Sequence, residues 1–397
     1  MANFPKVQEQ NIAVFGEAGS GKTVLVSSFY GPTQESAYQN DLWDLVALQP
    51  GQGNRLLQTY LGMRDTATMP IQNRFSGITY QFAVKLKTTG LKESTKRPFD
   101  ELRLMWHDYP GEWFESDPDG EEEKQRRLET WKNLLKSDVA LILVDGQKLL
   151  KYRGEEERYL TSLFANYRQN FLRAKDDLLA TDGPLVEFPR IWILALSKSD
   201  LLPDWTVENF RDLIIHKSAG EINSLRDTIA SLLDTPEALS LGEDFLLLSS
   251  AKFQMKPGGY EPSEIDLTQQ IGVDLVLPLA SILPLERRVQ WQQQFDIPLK
   301  VVDSLADGAE VIAAALLGLK FKTVERVLKR VVRSNRAAGV FIQLAPILSA
   351  AVAAAGPTLR EIHDDARTKH DHLRAMLTQF KLDLEQAVTD NVALFRK

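Results

Sequence analysis

Apolar and polar positions alternate along the first two thirds of the chain in blocks that predict strands and helices in turn. The run Asn11–Phe15 is short, apolar and strand-like; it ends in a glycine-rich loop, and an amphipathic helical stretch follows over Lys22–Tyr30. Two more strands are predicted at Ile78–Lys87 and Leu102–His107, with a polar turn region between them that lets them pair as antiparallel neighbours. Val139–Val144, Ile191–Leu196 and Phe245–Ser249 are near-continuous apolar runs. Such runs belong to parallel strands covered by helices on both faces. Helical patterns over Gly154–Leu179 and Thr206–Leu233 separate them, whereas Gly51–Asn73, rich in Gly, Gln, Asn and Thr, reads as a long mobile connection.

Strand alternating with helix predicts an α/β three-layer sandwich with a mostly parallel sheet. From about Ser281 the strand pattern gives way to long helical patterns, and Pro257-Gly258-Gly259 breaks the chain just before that change. The expected division is therefore an α/β domain over residues 1–256 and an α-helical C-terminal domain over residues 257–397. No internal repeat is visible.

Composition alters this picture little. A chain of 397 residues with 44% hydrophobic and 25% charged residues has the make-up of an ordinary soluble globular protein. The net charge of −7 argues against broad nucleic-acid binding, so no nucleic-acid partner is expected. With no cysteine, disulfides, thiolate metal sites and cysteine nucleophiles are excluded. Met1–Gln10 lacks an apolar signal-peptide core, and a cytoplasmic protein is expected.

The loop after the first strand carries the clearest chemistry. Gly16-Glu17-Ala18-Gly19-Ser20-Gly21-Lys22-Thr23 has the form G-x-x-x-x-G-K-T between a strand and a helix. Its glycines let successive backbone N–H groups turn inward around a phosphate, aided by the following helix N-terminus. Lys22 brings a mobile charge to the β/γ oxygens and Thr23 a hydroxyl for Mg2+, so a nucleoside triphosphate with Mg2+ is expected here. After the strand Leu102–His107 comes Asp108-Tyr109-Pro110-Gly111. Asp108 stands where a carboxylate can support the metal, and Gly111 where a backbone N–H can approach the γ-phosphate and sense its presence. His107 beside them reads as packing or surface.

Two later loops point to the base. Ser197-Lys198-Ser199-Asp200 follows the strand Ile191–Leu196. Asp200 can accept from guanine N1–H and the exocyclic amine while the Lys198 stem lies along the ring; adenine offers neither donor in that arrangement. Ser250-Ala251-Lys252 follows the last strand, and the Ala251 N–H can meet guanine O6. GTP and GDP are therefore the expected ligands.

The ordered set G-E-A-G-S-G-K-T, D-Y-P-G, S-K-S-D and S-A-K resembles the translation-factor-related class of P-loop GTPases over roughly Asn11 to Lys252. Asp108-Tyr109-Pro110-Gly111-Glu112-Trp113 is most similar to the DYPGEW signature of the YcjX-like group of bacterial GTPases. The resemblance implies a Ras-like fold, GTP hydrolysis, Mg2+ dependence and a helical addition. Ser197 stands where that class usually has Asn or Thr, and Glu112 where many small GTPases have a water-orienting Gln, so Glu112 is the position to examine for hydrolysis. For the first switch threonine, which should reach the metal, Thr66 and Thr68 are the candidates and Thr68 is preferred; Arg64 nearby reads as a surface residue.

The acidic run Glu115–Glu123 reads as a solvated, mobile face. Farther on, Lys320, Lys322, Arg326, Lys329, Arg330, Arg333 and Arg336 crowd one helical stretch, followed by an Ala-rich apolar run over Gly339–Gly356. A buried bundle core, contact with an anionic membrane surface at its inner face, and a docking helix for a protein partner all suit that pattern. His370-Asp371-His372 does not form a metal site, because residues two apart on a helix face away from each other. The expectation is a GTP-hydrolysing regulatory switch that relays nucleotide state to the helical tail and meets a protein partner through its switch loops or that tail. A membrane-tethering GTPase and a nucleotide-binding module with negligible turnover are the rival readings.

Overall fold

The structure, a computed structural model, describes residues 7–70, 77–87, 99–114, 116, 118–179, 183–185, 190–255, 262–294, 309–316 and 356–396. Among them is an eight-stranded sheet assembled from β1 (Val7–Phe15), β2 (Trp43–Ala47), β3 (Ile78–Leu86), β4 (Glu101–Asp108), β5 (Val139–Asp145), β6 (Ile191–Ser197), β7 (Ser240–Leu247) and β10 (Ala393–Leu394). Their spatial order is β10-β7-β6-β5-β1-β4-β3-β2. The middle of the sheet, β7-β6-β5-β1-β4, is parallel throughout. The expected antiparallel pairing of β3 with β4 is present, with Ile78 opposite Asp108. β2 and β10 add antiparallel strands at the two edges. A separate hairpin is formed by β8 (Lys252–Met255) and β9 (Pro262–Asp266).

Every residue of β5 and β6 is buried, because helices cover both faces. One face packs against α3 (Glu121–Leu134), α4 (Gly146–Lys151), α5 (Glu156–Leu179) and α6 (Val207–Ala230). α5 buries Tyr159, Leu160, Leu163, Phe164, Tyr167 and Phe171, the repeating three- and four-residue spacing of a single helical face. Thr206 starts α6 with a capping box to Asn209, and the helix is interrupted at Ser218, whose hydroxyl donates to the Ile214 carbonyl at 2.9 Å. The opposite face is covered by α1 (Lys22–Tyr30), α7 (Val276–Ser281), α8 (Leu283–Gln294), a short helix Ala309–Leu316, and the closing helix His372–Thr389.

That second layer bears on the division expected near residue 256. Leu277, Leu283, Ile312, Met376, Phe380 and Leu384 lie in the same apolar core as Ile12, Val14 and Leu141 of the sheet. The chain then returns to the sheet through β10. Beside it, Asp244 and Arg287 form a fully buried ion pair, and Asp244 also accepts the Arg396 N–H at 2.9 Å. Burial pushes the Asp244 carboxyl up, and Arg287 opposes that rise.

Of the Gly51–Asn73 stretch read as a mobile connection, residues 51–66 are in fact helical, within α2 (Pro50–Thr66), and residues 71–73 lie outside the described residues. Pro50 suits the first turn, and Leu56, Tyr60 and Met63 form a single buried stripe among polar residues that face solvent. The acidic run likewise opens α3, where Glu121, Glu122 and Glu123 occupy the first turn and complement the helix dipole. Glu123 also pairs with Arg127 at 2.7 Å. Glu115 and Asp117 of that run, the expected break at Lys256–Gly259, and the basic and apolar tail from Lys320 to Ala355 lie outside the described residues. No helix among the described residues is long and apolar enough to cross a membrane.

Gly31 follows α1 at the point where α2 crosses it, and a Cβ added there would overlap the Tyr60 ring. Gly31→Ala is expected to destabilise the protein by about 1–3 kcal/mol through overpacking. A urea midpoint equal to that of the wild type would show that α2 is not seated as described.

Candidate functional site

The carboxyl ends of β1, β4, β5, β6 and β7 converge on a cavity of about 330 Å3. Loops far apart in sequence line it: Ala18–Thr23 after β1, Asp108, Gly111 and Glu112 after β4, Gln147 after β5, Ser197 and Lys198 after β6, and Ser250 and Phe253 after β7. Met69 and Pro70, beyond α2, complete the wall.

The loop after β1 turns through glycine-only backbone, with φ of +77° at Gly19 and +96° at Gly21. Gly21 caps α1 but carries no side chain to accept from the first-turn N–H groups, which leaves that helix end suited to an anion. Lys22 is buried and folds back beneath the loop, donating to the Gly16 carbonyl at 2.6 Å and the Glu17 carbonyl at 3.2 Å. Ser20 Oγ is buried without a hydrogen-bond partner among the described residues. An orphaned hydroxyl in a loop that ends at a helix N-terminus is what a phosphate oxygen would satisfy.

Asp108, at the end of β4, is buried and accepts the Tyr109 N–H at 2.8 Å. Burial raises its carboxyl to about 6, against the pull of nearby Lys22. With Thr23 it offers two oxygen donors in the cavity wall, a set that suits Mg2+ and would restore the charge that burial penalises. Tyr109, which the sequence offered only as part of the D-Y-P-G run with no role of its own, fastens this loop to the loop after β1. Its hydroxyl accepts the Gly16 N–H at 2.8 Å and donates to the Gly16 carbonyl at 3.3 Å, with its ring 5.1 Å from the Lys22 ammonium. Gly111 sits so close to the backbone of Glu17 and Ala18 that a Cβ there would overlap both. Trp113 is buried beyond it, and Arg127 of α3 donates to its carbonyl at 3.1 Å.

At the other end, Lys198 adopts a left-handed conformation, φ 54°, and its ammonium lies 2.8 Å from Asp145 and 2.9 Å from the Gln147 amide oxygen. Ser197 Oγ donates to the Val144 carbonyl at 3.3 Å. Asp200 does not line the cavity; it stands behind the wall, where it accepts from Ser249 Oγ at 2.8 Å and from the Phe253 N–H at 3.0 Å. Partial burial raises its carboxyl, and those two hydrogen bonds oppose the rise. Ala251 is buried against α2, and Lys252 lies on β8 opposite Asp266.

Other expected residues also sit outside the wall. Gly16 is enclosed by Tyr109, and Glu17 turns to Lys148 of α4 at 2.6 Å. Thr68 is exposed just past the end of α2, its hydroxyl 2.7 Å from that of Thr66, and neither residue lines the cavity. Arg64 pairs on the surface with Glu35 and Asp65. Asp145 could have been suspected from sequence as a carboxylate ending an apolar strand, as Asp108 does; Tyr109 and Phe253 carry no such mark. His370 and His372 form no metal cluster among the described residues.

No family model and no curated protein matches the chain. Among solved structures it is similar to the signal recognition particle receptor SRb-GTP/SRX complex from Chaetomium thermophilum. That likeness has 16% identity and a TM-score of 0.30, and covers 62% of this chain and 93% of that one. At such a score it carries no argument about this chain.

His107 lies beside Asp108 but faces away from the chemistry, its ring nitrogens 3.0 Å from Thr79 Oγ1 and 3.2 Å from Asn11 Oδ1. Burial lowers its pKa to about 4, below the usual 6.5. Between those values the unfolded chain holds a proton that the folded chain does not, so this group makes stability rise with pH and its contribution is lost as pH falls to about 4. His107→Asn removes that dependence. In urea melts, the wild type is expected to gain about 3 kcal/mol relative to the variant between pH 4 and pH 6.5. A gap that stays constant would show the imidazole is not buried neutral.

Proposed function

We propose that this chain is a GTP-binding and GTP-hydrolysing regulatory switch that works with Mg2+. The observation that carries the proposal is that, of the loops that converge on one cavity, those after β1 and β4 have phosphate-binding character and those after β6 and β7 suit a guanine. The backbone of Ala18–Thr23 cradles the β-phosphate, and Lys22 leaves the Gly16 and Glu17 carbonyls to meet the β/γ oxygens. Thr23 and Asp108 would hold Mg2+, which when bound would supply positive charge beside the phosphate oxygens. A γ-phosphate must share space with Gly111, which already abuts the phosphate loop, so triphosphate and diphosphate favour different positions of the 109–113 segment. Arg127 and Trp113 carry that difference into α3.

A path to the C-terminal helices exists in the same terms. α1 begins with Lys22 and Thr23, and its Leu25, Val26 and Phe29 share one core with Leu277, Met376 and Phe380. The Asp108–Trp113 segment is the part of the chain that supports a YcjX-like assignment within the P-loop GTPases. Glu112 lines the cavity where a hydrolytic water would sit, and is the residue to test for turnover.

Asp200 keeps lone pairs beyond those taken by Ser249 and Phe253, since an ionised carboxylate has about four acceptor positions, and guanine would reach them when the Lys198–Leu201 loop turns the carboxylate from behind the wall into the cavity. Calorimetric titration with Mg2+ should show GTP and GDP binding at least about a hundredfold tighter than ATP, the discrimination a buried polar partner supports. Lys22→Ala should abolish binding of all of them. Asp200→Asn should move the preference from GTP towards XTP, because the amide can donate to the carbonyl at position 2 of xanthine. Unchanged GTP affinity in that variant removes Asp200 from base recognition, and ATP binding as tight as GTP overturns the guanine assignment.

A further inference from the structure

The cavity has a direction set by the sheet. Its phosphate loop leaves β1, and the Lys198 and Ser250 loops leave β6 and β7, two and three strands away. At about 4.8 Å per strand this is about 10–14 Å, the reach from a β-phosphate to a purine base. Two aromatic rings line the cavity, Tyr109 and Phe253. Tyr109 belongs to the phosphate end and is committed to Gly16. Phe253 stands at the other end, one step into the β8–β9 hairpin, where it pairs in register with Ile265.

Phe253 is held from two sides. Its N–H donates to Asp200 Oδ2 at 3.0 Å, and its ring packs on the apolar cluster of Met63, Ala251, Ile265 and Leu267. The ring is only half-buried, and it borders the cavity next to Lys198, Leu201 and Ser250. Lys198 directs its ammonium to Asp145 and Gln147, which leaves its aliphatic stem to meet a ring. The base end therefore presents an aromatic face and an alkyl stem, with a carboxylate behind them.

We infer that Phe253 is a base-binding residue: the purine of the bound nucleotide stacks on its ring, and its backbone bond to Asp200 fixes that ring in register with the carboxylate that selects guanine. This rests on the guanine-nucleotide reading above. The two residues divide the work. Stacking engages any purine, because every base has a π-face, whereas Asp200 supplies the choice among them. The α2 stripe that supports Phe253 leads to Ala67, next to Met69 and Pro70 on the cavity wall, so base occupancy also bears on the segment after α2.

The test compares wild type, Phe253→Ala and Phe253→Trp by calorimetric titration with GTP, GDP and ATP in Mg2+, and by competition with inorganic tripolyphosphate. Phe253→Ala is expected to weaken GTP and GDP binding about tenfold or more, in line with the loss of one base–aromatic stack. Tripolyphosphate, which has no base, should compete as well as before, and Phe253→Trp should bind GTP within about threefold of wild type. Unchanged GTP affinity in Phe253→Ala overturns the inference. So does an equal loss for tripolyphosphate, which would mean that the substitution merely disturbs the hairpin and the cavity. Wild type that binds ATP as tightly as GTP defeats the guanine reading while leaving the stacking result intact, so the two failures are distinguishable.

Discussion

Burial of β5, β6 and the Ile12–Phe15 half of β1 on both faces is the constraint from which the rest follows. Strands enclosed in this way can carry almost nothing but apolar side chains along their length. Their polar and charged residues are pushed to the ends, and here Asp108, Asp145 and Ser197 close β4, β5 and β6. A parallel arrangement points all of those ends to the same edge, as open α/β sheets do. The cavity thus needs no special architecture of its own. It is the place where a doubly covered sheet must put its chemistry.

Once gathered at that edge, the loops are fastened to one another more than to the strands. Tyr109 holds both backbone groups of Gly16, Gly111 presses on Glu17 and Ala18, Lys148 holds Glu17, and Lys198 spans to Asp145. Below them Phe15, Tyr109, Trp131, Tyr167 and Trp192 form an aromatic floor, with ring centroids 5.0–6.3 Å from that of Phe15. Such a floor is stiff, so a change in one loop passes to its neighbours and is not absorbed beneath. Asp108 marks the least comfortable point of the arrangement. Its carboxyl is raised by burial, with Lys22 only partly compensating, and a divalent cation is the ligand that would relieve it.

The parts legible in the sequence were those with a single dominant local signal. β5 and β6 were unmistakable as apolar runs, α5 as a periodic stripe, and the loop after β1 as a pattern of glycines with Lys22. α1, expected to be amphipathic, is buried on nearly all sides because it is enclosed between the sheet and the helices that cover it. α2 was obscured because its buried stripe of Leu56, Tyr60 and Met63 is narrow, and Gly51, Gly53 and Gly62 dilute its helical propensity. β2 and β10 depend on edge pairing that only the completed sheet supplies. Within the site, the residues that act by touching another loop were invisible: Tyr109 and Phe253 look like any core aromatic until the partners Gly16 and Asp200 are beside them. Thr68 differs again: its spacing singled it out, and its hydroxyl here meets that of Thr66 just past α2.

The position of β10 has a bearing on how the molecule is made. All loops of the cavity have been synthesised by residue 253, yet the sheet face behind α1 remains uncovered until α7, α8 and the closing helix have emerged. Asp244 has its counter-charge only after Arg287 appears, and its last hydrogen bond only with Arg396. A chain ending after residue 253 would therefore hold every loop of the cavity yet expose an apolar sheet face and leave the Asp244 carboxylate without its partners. Completion of the sheet that carries the cavity is thereby tied to residues 276–396, which follow all of the cavity's own loops in the chain.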